Sequence, residues 1–272
     1  MAVTPATDVV TREVRDGAAV LTLNRPERLN AWVPAMQIRY FDLLEEAAAD
    51  PQVKAIVVTG AGRGFCAGAD MEGLQSLGSG EGSAEGARAD DRPQTFPMSI
   101  PKPVIAAING PAAGLGLVMA LMCDIRFAAV GAKLTTAFAR RGLIAEHGIS
   151  WVLPRLVGAA HALDLLFSGR VVLAEEAAAM GLVNAVHPPD KLLERTLEYA
   201  GELATWSSPA SMAVMKRQVY EHLERGAAES LDESNRLMAE SFGRADFKEG
   251  VASFVEGRPP RFEGVGTGRA AT

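Results

Sequence analysis

A chain of 272 residues with 48% hydrophobic residues is long enough to bury a sizeable core, in one large domain or a domain with an appendage. Its formal net charge of −6 leaves no basic surplus to neutralise a phosphate backbone, so nucleic acid is excluded as an expected partner. Two cysteines, Cys66 and Cys123, lie in apolar segments without CxxC spacing, and His147, His161, His187 and His222 are scattered, so neither a disulfide framework nor a metal site is expected.

The opening MAVTPATDVVTREV has no basic or apolar leader, and no apolar run approaches the ~20 residues of a membrane span, so a soluble, cytoplasmic protein without a membrane partner is expected. Val9–Val14 and Ala18–Leu23 predict two strands with a turn at Asp16-Gly17. Met36, Tyr40, Leu43, Leu44 and Ala47 share a face at helical spacing, which predicts a helix over Met36–Ala49, closed by Asp50-Pro51. Val53–Thr59 predicts a strand, Gly60–Gly64 a turn, and Phe65–Met71 a tightly packed run of small residues. Leu74–Pro97 is dominated by Gly, Ser, Ala and acids and reads as a loop.

Val104–Ile108 is a strand-length apolar run broken by Asn109-Gly110-Pro111. Ala112–Met122 then predicts a helix with Gly114 and Gly116 at its start. Asp124–Ala129 reads as a strand, Lys133–Arg141 as irregular, and Gly142–His147 as a turn into a helix over Gly148–Leu156. Short helices follow at His161–Phe167 and Ala174–Met180, then a last strand at Val183–His187. From there Lys191–Leu203, Pro209–Leu223, Ala227–Phe242 and Ala245–Glu256 are helical in series, with no strand between them. The earlier alternation of strands and helices predicts an α/β fold.

Two glycine-rich turns after apolar strands are the chemically suggestive feature. A glycine turn into a helix N-terminus leaves unpaired backbone N–H groups facing outward, and two such turns can offer one N–H each to the same oxygen. A dinucleotide-binding turn is the competing reading, but its third glycine is required where Phe65 stands. No GxSxG pentapeptide occurs, and Cys66 has no neighbouring base, so it reads as a small buried hydrophobe.

The segments FCAGAD (Phe65–Asp70), NGPAAGLG (Asn109–Gly116), LNRPERLNA (Leu23–Ala31), AEEAAAMGLVNAV (Ala174–Val186) and FKEGVASFVEGRPPRF (Phe247–Phe262) together resemble the crotonase (enoyl-CoA hydratase/isomerase) superfamily. The resemblance covers nearly the whole chain. It implies a crotonase-type spiral of ββα turns over residues 1–200 and a C-terminal helical oligomerisation region over 201–272 that packs subunits into trimers, usually paired as hexamers. It also implies an acyl-CoA thioester as substrate, with no cofactor beyond the coenzyme A that the substrate carries.

By position in the motifs, the backbone N–H groups of Ala69 and Leu115 would hold the thioester oxygen and the enolate formed from it. Arg28 matches a basic position near the coenzyme A phosphates, and Ala67, Asp70 and Met71 line the adenine and pantetheine path. Gly114, Val118 and Phe138 belong to the same substrate-binding set, and Arg258 and Arg261 either reach a neighbouring subunit's coenzyme or are surface charges. The resemblance also puts Leu74–Pro97 beside the acyl pocket as a flap.

The family's two hydratase glutamates would stand at positions 118 and 138, where this chain has Val118 and Phe138. Glu146 remains, at a position where isomerases of the family place a single acid. One carboxylate can take a proton from one carbon and return it to another, so double-bond isomerisation is the expected reaction. An apolar setting of Val118, Phe138 and Trp151 would raise its proton affinity. Hydration by a water held against Glu146, and a non-catalytic acyl-CoA-binding role, are the alternatives. His147 is either a hydrogen-bond partner of Glu146 or exposed.

Overall fold

The computed structural model describes residues 9–71, 73, 75, 79 and 90–264. Asp16 and Gly17, both at positive φ, fold β1 (Val10–Arg15) back onto β2 (Ala18–Leu23), the hairpin that the sequence predicts. β3 (Ala55–Gly60) and β4 (Val104–Ile108) are apolar runs buried along their whole length, as strands covered on both faces are. β4 is followed by the two-residue β5 (Ala112–Ala113), then β6 (Ile125–Ala129), β7 (Lys133–Thr135), β8 (Val172–Leu173) and β9 (Ala185–His187).

The larger sheet runs β1-β2-β3-β4-β6-β9, antiparallel only at its first pair, with Ala18 opposite Ala55, Ile56 opposite Val104 and Ile105 opposite Ile125. A smaller sheet runs β5-β7-β8, and Cys66 joins it through a parallel bridge to Ala112. Each pass of the chain therefore lays one strand in the larger sheet and one short strand or bridge in the smaller: β3 then Cys66, β4 then β5, β6 then β7. This is a spiral of parallel turns, and its smaller sheet stacks the segments that carry the predicted N–H donors.

Helix α1 (Pro34–Ala49) starts on a proline suited to the first helical position and buries Met36, Tyr40, Phe41, Leu43, Leu44 and Ala47 against β1 and β2. Its last turn is closed by Lys102, which is fully buried and whose Nζ donates to the carbonyls of Ala47 (2.9 Å) and Asp50 (2.6 Å). The Leu74–Pro97 stretch lies largely outside the described residues. Its end is anchored by Arg92, which pairs with Asp90, Asp42 and Glu45 and stacks on Phe41 and Phe96, ahead of the single helical turn α2 (Phe96–Ser99).

Three differences from the sequence expectations have local causes. Ala112 and Ala113 pair as β5, so α3 starts only at Leu115 (Leu115–Leu121), after Gly114 adopts a φ of 49° that no helix uses. Lys133–Arg141 is ordered as β7 plus a 3₁₀ turn over Ala139–Arg141. The two helices expected on either side of residue 158 run together as α4 (Ile149–Ser168), joined through non-helical Gly158. By length and composition alone α4 could cross a membrane. Arg155, His161, Asp164 and the break at Gly158 interrupt it, and Val152, Leu153, Val157 and Leu165 pack into the core.

After α5 (Ala174–Ala179) and β9, α6 (Leu192–Trp206) lies across β2, β3, β4, β6 and β9. The boundary expected after residue 200 falls inside α6. Then α7 (Pro209–His222), α8 (Ala227–Ser241) and α9 (Ala245–Glu256) follow in series, with no strand among the described residues beyond β9. They leave Val219, Leu231, Phe242, Phe254 and Val255 exposed, Phe254 to 87%.

Burial pushes the Lys102 ammonium down to about 8, against a charge balance with Asp50 and Arg12. Between that value and the ~10.4 of an unfolded lysine, the unfolded chain binds more protons than the folded one, so this group's contribution to stability rises with pH across that window. In denaturant titrations at pH 8 and 10, wild type should gain on the order of 2 kcal/mol relative to Lys102→Met. An equal pH response in both proteins would show that Lys102 does not titrate there.

Candidate active site

The LNRPERLNA segment folds into a knot of polar contacts that holds the first glycine turn. Arg28 closes a 3₁₀ turn over Pro26–Arg28, after which Leu29 and Asn30 are both left-handed. Fully buried Asn30 accepts from the Arg25 N–H through Oδ1, and its Nδ2 donates to the carbonyls of Ala61 and Gly64. Asn109 grips the same turn from the other side, its Nδ2 donating to the carbonyls of Gly60 and Gly62. The Arg25 guanidinium donates to the Ala31 carbonyl and pairs with Asp70 at 3.0 Å.

So positioned, the 65–70 segment packs directly on the start of α3. The Cys66 carbonyl accepts from Ala113 N–H at 3.0 Å, and the Gly68 carbonyl accepts from Trp32 N–H at 2.7 Å. No side chain fits at two points of this contact. A Cβ on Gly116 would lie 2.2 Å from the Cys66 carbonyl oxygen, and one on Gly68, at a φ of 97°, 2.8 Å from the Ala113 carbonyl oxygen. That Gly68 Cβ position is also only 3.8 Å from the Leu115 nitrogen. Burial pushes the Cys66 thiol up to about 12, which leaves it protonated and unreactive at neutral pH.

The consequence is two backbone donors on one cavity. Trp32 takes the N–H of Asp70, not that of Ala69, and Leu115 is the first residue of its helix. Neither the Ala69 nor the Leu115 N–H has an acceptor among the described residues, and both residues line a cavity of about 310 Å³. Such a pair is what a developing oxyanion requires.

The cavity brings together Arg28, Ala67, Ala69, Asp70, Met71, Leu115, Phe138 and Glu146 from the predicted set. Val118 is fully buried in α3 and Gly114 is the residue before it, and neither lines the cavity. Trp151 does not line the cavity: its Nε1 donates to Glu224 and Arg155 stacks on its ring. Arg258 is engaged by Glu249 and Glu256 within its own chain. Sequence reasoning did not place Ala31, Gly68, Arg141 and Leu143 on the cavity. Arg141 was legible only in hindsight, as the last residue of a turn ended by left-handed Gly142.

Glu146 and Asp70 supply the carboxylates of the lining, and Asp70 is already paired with Arg25. Glu146 is about a third exposed, its carbonyl accepts from the Ile149 N–H at the start of α4, and its Oε2 lies 3.7 Å from His147 Nε2. Burial pushes the His147 imidazole below its ordinary value, opposed by the neighbouring Glu146 charge.

A family model described as Enoyl-CoA hydratase/isomerase matches residues 13–265. The chain is 38% identical to a probable enoyl-CoA hydratase of Rhodobacter capsulatus, over 93% of its own length and 96% of the relative's. It is 34% identical to the 1,2-epoxyphenylacetyl-CoA isomerase of Escherichia coli, over 94% and 99%. Among solved structures, an enoyl-CoA hydratase from Polaromonas superposes with a TM-score of 0.87 at 30% identity, covering 93% of this chain and 99% of that one. Another, from Mycobacterium marinum, is 52% identical with a TM-score of 0.69, covering 80% and 100%. The mixed α/β spiral with its C-terminal helices is the fold of these crotonase-type neighbours.

Gly116→Ala forces the Cys66 segment away from α3, because the conflict is with backbone. The variant should lose ~1–3 kcal/mol of stability and bind acyl-CoA more weakly as the two donors part. Calorimetric melting and a binding titration test this, and a wild-type melting temperature would show that the two segments are not in enforced contact.

Proposed function

The chain belongs to the enoyl-CoA hydratase/isomerase family, and from that premise we propose that it moves the double bond of an acyl-CoA ester from the β,γ to the α,β position, with Glu146 as proton shuttle. The thioester oxygen accepts from the N–H groups of Ala69 and Leu115, which stabilise the enolate formed when the α-carbon loses its proton. Glu146 takes that proton, which is returned at the γ-carbon. Arg28, Ala67, Asp70 and Met71 flank the pantetheine and phosphate end, and the reading needs no cofactor besides the substrate's own coenzyme A.

The observation that carries this reading is the shortage of carboxylates. With Val118 and Phe138 at the positions where the hydratases of the family keep theirs, and Asp70 paired with Arg25, Glu146 is the acid left to work on the cavity. The relatives bear both names, hydratase and isomerase. The hydratases of the family add water between two glutamates, whereas isomerisation moves a single proton.

We further propose that the helical region over 201–272 joins copies of the chain into a trimer or hexamer. The exposed apolar side chains of α7, α8 and α9, Val219, Leu231 and Phe254 among them, support this.

Glu146→Gln should lower turnover of a 3-enoyl-CoA roughly 10²–10⁴-fold while leaving its affinity nearly unchanged. Leu115→Ala keeps the N–H and should retain activity within about tenfold. Release of 3-hydroxyacyl-CoA from a 2-enoyl-CoA would favour hydration instead. Tight binding without any turnover would favour an acyl-CoA-binding role. For assembly, light scattering of the full chain should give three or six copies, and a well-folded monomer at micromolar concentration would contradict the oligomer.

A further inference from the structure

Glu146 and His147 are neighbours in the chain, yet both side chains line the cavity. Successive residues of a strand point to opposite faces, and those of a helix diverge by about 100°. The two converge here because His147 is left-handed, with φ of 57°, and Gly148 after it is left-handed too, with φ of 81°. A side chain larger than glycine is uncommon in that region, and its strain must be held by its surroundings. The surroundings are close-fitting: the position of a Cβ on Gly148 would meet the Thr95 methyl at 3.3 Å, and Ile149 beyond it is fully buried.

His147 Nε2 stands 3.7 Å from Glu146 Oε2, too far for a hydrogen bond and near enough for one to form after a small side-chain rotation. Burial pushes the ring below its ordinary value, opposed by the neighbouring Glu146 charge, so it rests unprotonated at neutral pH. The other charged groups on the cavity are Arg28, Asp70 and Arg141; Asp70 is held by Arg25, and Arg141 donates to the Ala137 carbonyl. Isomerisation removes a proton at one carbon and delivers it two carbons further along. A carboxylate fixed by the start of α4 has to reach both points, and a second group beside it divides that distance.

We propose that His147 is a second catalytic residue, which receives from Glu146 the proton taken at the α-carbon and delivers it at the γ-carbon. The proposal rests on the isomerisation reading above. Glu146 breaks the α C–H bond, and the electron pair moves into the enolate held by Ala69 and Leu115. The proton passes from Glu146 Oε2 to His147 Nε2, restoring the carboxylate. The imidazolium then gives it to the γ-carbon as the enolate electrons return to form the α,β double bond. Both side chains end as they began, and no oxidant or co-reactant enters.

The test uses trans-3-hexenoyl-CoA in heavy water, following deuterium at the α-carbon by mass spectrometry and the conjugated product by absorbance. His147→Asn suits the left-handed backbone and cannot carry the proton. It should retain α-deuteration within about threefold of wild type, while isomerisation falls roughly 10²-fold, so exchange events per turnover rise steeply. Retained exchange also shows that the variant's site is assembled, and His147→Gln should give the same split. Two results overturn the relay: wild-type isomerisation by His147→Asn, or loss of exchange and isomerisation together in a variant that still melts cooperatively and binds the product. A wild type that neither exchanges nor isomerises overturns the isomerisation reading itself, and the relay with it.

Discussion

Backbone has to touch backbone where the 65–69 segment meets the start of α3. The Cys66 carbonyl lies where a Gly116 side chain would be, and the Ala113 carbonyl lies against Gly68. This proximity brings Ala69 and Leu115, from separate turns of the spiral, onto one cavity. Much of the surrounding polar structure serves to hold it: Asn30 and Asn109 grip the glycine turn, Arg25 ties Asp70 to Ala31, and β5 is pinned to β7. A hydrogen-bonded frame is suited to this task, because donors aimed before the reaction need no reorganisation as charge develops.

The pocket's reactive side chains are few for the same reason. Where main chain supplies the charge stabilisation, side chains at those positions are selected for fit, and Leu115 and Ala69 are apolar without loss of the donor. The proposed proton transfer sits at the start of α4, where two left-handed residues bring Glu146 and His147 to the cavity and then release the chain into a 20-residue helix. Strain is placed beside the carboxylate and is absent from the oxyanion turns, where glycine removes it.

Much of this was legible in the sequence because it is encoded locally. Apolar runs of five or six residues ended by glycine or asparagine announce β3 and β4, and the face shared by Met36, Tyr40 and Leu44 announces α1. The glycine of FCAGAD was legible only through the family resemblance, and its reason lies in the Ala113 carbonyl packed against it. What spacing could not show is which side of α3 Val118 occupies, or that Trp151 engages Glu224, because both depend on contacts between elements far apart in the chain. The two-residue strands β5 and β8 were hidden likewise, since so short a segment has no periodicity and exists only through its partner. Asn30 was overlooked in the signature segment because its role lies in three hydrogen bonds to a turn some thirty residues away and to Arg25 nearby.

The central claim is that the Ala69 and Leu115 N–H groups together polarise a thioester carbonyl. Isotope-edited infrared spectroscopy of a carbonyl-labelled saturated acyl-CoA, bound to the protein, reads that polarisation directly. Two converging donors should move the carbonyl stretch clearly to lower frequency than in water, as a single narrow band. A band at the aqueous frequency, or one broadened like the free ester's, would mean that the two N–H groups do not hold the oxygen, and the account of the site would fail.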